Sequence, residues 1–179
     1  MSDTSSRSKP DIRAEMDHAR AEFHRFLAQS SRSDLAQASD GTRWTNEQLL
    51  FHMLFGYLIA RNLRVIVKVV GRLPEPAGRA FAGVLNSVTT PFHVINFWGS
   101  GVGSRVIGPA RMGRRFDRTI ASLQRHLDAE SESELGRRMH FPTRWDPFFT
   151  DTMTLRDVYH YPTQHVDFHR AQLTLDMAD

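Results

Sequence analysis

The sequence has no cysteine. That excludes disulfides, zinc ribbons, iron–sulfur clusters and a catalytic thiol supplied by the chain, so any sulfur nucleophile must come from outside. Lysine is almost as scarce: of the 23 basic residues, all but Lys9 and Lys68 are arginine. The formal net charge is only +3, which argues against bulk nucleic-acid binding, because that affinity comes from phosphate neutralisation by massed basic side chains. Long hydrophobic runs are missing as well. The nearly apolar stretch from Leu49 to Ala60 is interrupted by His52 and falls far short of the roughly 20 residues a membrane span needs. Met1 to Pro10 is polar and serine-rich with no apolar segment, so it reads as a loose solvated leader rather than a signal peptide, and the expected location is the cytoplasm. The chain lacks H-E-x-x-H, G-x-S-x-G and a P-loop, and Gly99, Gly101 and Gly103 do not match G-x-G-x-x-G. Peptidase, α/β-hydrolase and dinucleotide-binding chemistry are therefore not expected.

What remains is helical periodicity. A chain of 179 residues suits one domain, here residues 11–179, able to bury roughly 70% of the surface it exposes unfolded. Ile12, Met16, Ala19, Phe23 and Phe26 fall on one helix face, predicting a first helix over 11–30. Thr45 and Gln48 form a capping-box pair just before the apolar run, predicting a second helix over 45–70 that Gly71 and Pro74 end. Residues 71–108 hold 7 of the 11 glycines and three prolines and read as a long crossover connection outside the core. Within it, Phe81, Val84, Leu85 and Val88 suggest a short helix, and Val94 to Phe97 a short extended piece. Pro109 opens a third helix over 109–130 with the stripe Met112, Phe116, Ile120, Leu123 and Leu127. A loop from Ser131 to Asp151 follows, and Thr154 with Asp157 caps a fourth helix over 154–175. The expected fold is all-α, a four-helix bundle with a long crossover connection.

The histidines carry the chemistry. His165 and His169 are four apart on the last helix, so they differ by only about 40° around its axis and can grip one ion. His52 lies in Phe51-His-Met-Leu-Phe55, where a buried imidazole needs either an ion or a polar partner such as a backbone carbonyl. Two ligands from one helix and a third from another would give three neutral nitrogens, a donor set that suits catalytic-type zinc with open positions. His160 is turned away by about 140° on a regular helix, although Pro162 can kink it. His18, His24, His126 and His140 read as surface or boundary residues. Arg105, Arg111, Arg114, Arg115 and Arg118 form either a solvated helix face or an anion-facing patch.

Trp44-Thr45 followed by His52, then Tyr161, His165, His169 and Gln172, resembles the pattern of the DinB-like superfamily, which includes the YfiT-like proteins, bacillithiol transferases and mycothiol-dependent maleylpyruvate isomerase. The resemblance implies a four-helix bundle with a crossover. It also implies a divalent metal, commonly zinc or nickel, on His52, His165 and His169, and a low-molecular-weight thiol such as mycothiol or bacillithiol as co-substrate. The leading expectation is thus a metal-dependent thiol S-transferase or isomerase acting on an electrophile. Arg111, Arg114 or Arg115 would meet a carboxylate of thiol or substrate, with Phe92–Trp98 and Trp145–Phe149 as pocket walls. The rival readings are a metal-bound bundle without catalysis, a metal-dependent hydrolase and a partner-binding module; a homodimer is the assembly considered.

Overall fold

The computed structural model describes residues 7–175, apart from the side chains of residues 91–93, 95 and 96. Most of the expected leader, residues 1–6, and the last four residues of the expected domain lie outside the described part. Helix α1 (Lys9–Gln29) starts two residues before the expected boundary, because Ser8 and Asp11 form a full capping box and Pro10 sits in the first turn, where its missing N–H has no consequence. Ser31 and Asp34 cap a short helix α2 (Arg32–Ala36) that the periodicity did not reveal. Helix α3 (Asn46–Val70) begins at the Thr45–Gln48 capping box and ends at Gly71, as expected.

The crossover differs most from expectation. Residues 71–108 are not a loop with a helical fragment but two helices, α4 (Glu75–Ser87) and the first arm of α5 (Thr89–Ala129). Val94 to Phe97 is helical, not extended. Pro76 falls in the first turn of α4, where proline is tolerated. Gly83 and Gly99 are exposed and Gly78 is buried, but at all three a Cβ would meet nothing, so these glycines sit within helices rather than at turns. The expected apolar stripe of this segment is only half used: Phe81 and Leu85 are partly buried, whereas Val84 is 63% exposed. Gly108, with φ 64° and ψ 161°, breaks α5, and the second arm resumes at the expected Pro109.

The core forms where α3 packs on α5 and α7 (Leu155–Arg170) and α1 closes over the same two helices. Met112, Phe116, Ile120, Leu123 and Leu127 are all fully buried, as the stripe requires. Phe116 stacks on Phe23 of α1 at 4.1 Å and meets Tyr57 of α3 edge-on at 5.0 Å. Between α5 and α7 the chain forms a one-turn helix α6 (Glu132–Leu135) and two antiparallel strands, β1 (Arg138–His140) and β2 (Thr152–Thr154), pairing Met139 with Met153. The sheet was not anticipated. It ties off the loop of residues 141–151, whose aromatic residues fold back toward α7. The last helix ends at Arg170 rather than near Leu175. The segment beyond it is clipped to the start of α3: Asn46 exchanges hydrogen bonds with Thr174, and the Asp40 N–H donates to the Gln172 carbonyl at 2.8 Å. The result is a helical bundle with a helical crossover, and no described helix is long and apolar enough to cross a membrane.

Candidate metal centre

Two capping boxes fix the phase of the helices that carry the centre. From Thr45, α3 places His52 in a run where Leu49 to Leu54 are all buried; from Thr154, α7 turns His165 and His169 inward. The three imidazoles are each at least nine-tenths buried, and their rings lie 4.6–4.8 Å apart centroid to centroid. One ligand atom from each lies within 4.8 Å of the others, so a single ion can be held between them. Close approach depends on Gly56, one turn after His52: a Cβ there would stand 2.7 Å from Cδ2 of His165. Only glycine lets the α7 ring settle against α3 beside His52.

Partners on the far nitrogens orient the rings. Nδ1 of His165 lies 3.1 Å from Oδ2 of Asp146, and Nδ1 of His169 lies 2.7 Å from Oε1 of Gln172. Both acceptors require an N–H at Nδ1, which leaves Nε2 of each ring as an unprotonated donor of electrons. Nε2 of His165 is buried and has no hydrogen-bond partner among the described residues. Nε2 of His160, outside the cluster, is likewise buried without a partner, so what marks His165 as a candidate ligand is that its ring lies in a cluster of three imidazoles. Trp44, just ahead of the α3 cap, lies over His52 at 4.4 Å, and the Ser100 hydroxyl of α5 is 3.4 Å from Nδ1 of His52. Burial, reinforced by His165, pushes the His169 pKa down to about 4, so this ring is neutral at ordinary pH.

A sequence model of the DinB superfamily matches residues 15–173. The chain belongs to the DinB superfamily. No curated protein and no solved structure matches it.

In this DinB-superfamily chain, residues missed by the sequence reading complete the centre. Asp146 is the main one. Its carboxylate accepts from His165, from the Tyr161 hydroxyl at 2.8 Å and from the Phe148 N–H at 2.9 Å. Burial acts to raise the carboxyl, but the His165 interaction, the Phe148 N–H and the Tyr161 hydroxyl outweigh it and hold Asp146 below the usual carboxylate range. Burial and the neighbouring Asp146 push Tyr161 far above the ordinary phenol value, so its hydroxyl remains a donor. Gly56 was also missed. Its spacing of four from His52 was the available signal, since the two share a helix face.

The histidines open onto a hollow of about 150 Å³ walled by Phe55, Ile59, Trp145, Phe148, Phe149 and Phe168. The expected Trp145–Phe149 wall is in place. Of the other expected wall, Phe92 lies outside the described side chains, Phe97 packs on Trp44 at 6.0 Å instead, and Trp98 is 66% exposed. Arg111, Arg114 and Arg115 do not line this hollow; with Arg118, Val106 and Ile107 they border a separate one. Pro162 does not bring His160 to the cluster: α7 continues through it, and Nδ1 of His160 meets Glu15 of α1 at 2.6 Å. His18 and His24 are exposed, and His126 and His140 are intermediate in burial, as expected.

Proposed function

We propose that this chain is a metal-dependent thiol S-transferase or isomerase. It holds a divalent cation, zinc in preference to nickel, on His52, His165 and His169, and uses a low-molecular-weight thiol such as mycothiol or bacillithiol. The observation that carries the reading is the convergence of three buried imidazoles, one with an unpartnered Nε2, beside a hollow in a chain that has no cysteine. When bound there, a divalent cation supplies a Lewis acid that favours the thiolate form of a sulfur nucleophile.

The chain's own residues do the rest. Asp146 and Gln172 hold the tautomers of His165 and His169, so that the site does not have to reorganise when it fills. The aromatic wall excludes water and positions the electrophile. Arg111, Arg114 and Arg115 keep a proposed role toward a carboxylate, on a part of the thiol that lies outside the histidine hollow. Hydrolysis is less well supported. Asp146 is the one carboxylate among the described residues lining the hollow, and it is committed to His165 and Tyr161 rather than free to accept a proton from water.

The test begins with protein purified without a metal-affinity tag. Elemental analysis should find one divalent ion per chain, and turnover of a chromogenic electrophile should require both added thiol and that ion. Turnover without thiol would replace the reading with hydrolysis. A bound metal with no turnover under any condition would leave a bundle without catalysis, and absence of metal would end the reading.

A further inference from the structure

We infer that the hollow beside the histidines receives an uncharged six-membered ring, or an alkyl group of the same bulk, as the electrophilic part of the substrate. This rests on the reading above only in assigning the hollow to the electrophile. Two observations carry it: size and charge.

The hollow measures about 150 Å³. An apolar cavity of about that size lined by aliphatic and aromatic side chains holds one benzene ring. Its wall is Phe55 and Ile59 from α3, Phe168 from α7, and Trp145, Phe148 and Phe149 from the loop. The wall is already formed. The Trp145 Nε1–H donates to the Leu85 carbonyl at 2.9 Å, Phe148 meets Phe168 edge-on at 5.8 Å, and Phe149 packs on Tyr161 at 4.8 Å.

Among the described residues, no lysine or arginine lines the hollow. The arginines that recognition of an anionic substrate would need lie around the separate hollow of α5. In the metal-free chain, a carboxylate carried in on the ring would lose water against phenylalanine faces and approach the Asp146 carboxylate, with no guanidinium in the wall to offset either penalty. The wall therefore selects by charge as well as by size.

The test uses the full chain without metal, so that no cation contributes to ligand binding, and titrates it calorimetrically with nitrobenzene and with 3-nitrobenzoate. The neutral ring should bind about tenfold or more tightly than its carboxylate, since the charged group has no partner in the wall. Ile59→Trp should fill the space and abolish binding of the neutral ring. Phe168→Arg, at a position 49% exposed at the rim, should narrow or reverse the preference, and it stands as the deciding variant if Ile59→Trp fails to fold. Equal binding, tighter binding of the carboxylate, no binding of either ring, or a preference unmoved by Phe168→Arg would overturn the inference. Ring binding with no thiol-dependent turnover would leave it standing and remove the transferase reading instead.

Discussion

Metal removal should destabilise the whole bundle, because the three ligands join elements far apart in the chain. His52 belongs to α3 and His165 to α7, 113 positions later (165 − 52). The unfolded chain does not present these nitrogens together, so binding free energy appears as folding stability. With free metal at a thousand times its dissociation constant, the gain is about 4 kcal/mol. For a domain of this length each kcal/mol moves the melting temperature by about 2–4 °C. A chelator should therefore lower it by about 8–16 °C from the loaded state. The informative quantity is the chelator-induced shift within each variant, since truncating a buried imidazole also changes packing. That shift should vanish in His52→Ala, His165→Ala and His169→Ala. It should survive in His18→Ala and His24→Ala, whose side chains are exposed, and in His126→Ala, whose Nδ1 lies 2.6 Å from the Ser122 carbonyl of its own helix. Differential scanning fluorimetry with and without chelator measures all of these. A shift that persists in any of the three ligand variants refutes the three-histidine site. His160→Ala should keep the shift, because its ring faces Glu15; losing it there while His165→Ala retains it would mean that α7 is phased wrongly.

Further outcomes follow from the same geometry. Asp146→Asn should weaken metal affinity by about 10–100-fold by releasing His165, as loss of a ligand's outer partner commonly does; competition with a chromogenic chelator reads it, and unchanged affinity would remove Asp146 from the centre. Gly56→Ala should lower metal affinity while helical circular dichroism is retained, because the added methyl displaces His165; the same change at exposed Gly99, where a Cβ meets nothing, should leave binding intact. In the metal-free chain, the depressed pKa of His169 makes stability fall as pH drops from about 6.5 towards 4, since in that window the unfolded chain binds the proton and the folded one does not. The loss from this group is about 3 kcal/mol at most, and urea titrations across that range check its sign.

How much of this was readable in advance depends on the range of the interaction that decides each feature. The capping boxes Thr45–Gln48 and Thr154–Asp157 are contacts across three residues, and both were legible and correct. So was the stripe from Met112 to Leu127, because one buried face imposes one period. The crossover departs from its sequence pattern because glycine and proline, ordinarily helix breakers, lie here within and at the starts of helices. A helix lying on the surface tolerates glycine at about 1 kcal/mol each, and its prolines fall where proline does no harm. Gly103 has a different role: a Cβ there would collide with the ring of Phe51. This glycine is a close-contact point between α5 and α3, not a turn. The strands β1 and β2 are three residues each, too short for an alternating pattern to register.

The site divides along the same line. His165 and His169 are neighbours by helical geometry alone, so four residues of sequence expose the pair. Their union with His52 needs α3 and α7 to pack closely, and Gly56 permits that approach only because of what lies opposite it in space. Asp146 is harder still to find. Nothing local distinguishes it from Asp151, five residues on in the same loop, whose side chain is 83% exposed beside His140. What selects Asp146 is the anchoring of its loop: the β1–β2 pairing at one end, the Trp145 bond to α4 in the middle and the Tyr161 hydroxyl from α7. The same carboxylate that orients a candidate metal ligand thereby fixes the aromatic wall, since Trp145 precedes it and the N–H of Phe148 donates to it. Changes to this loop should accordingly alter ligand selection and metal affinity together, whereas changes to the α5 arginines should leave metal affinity untouched.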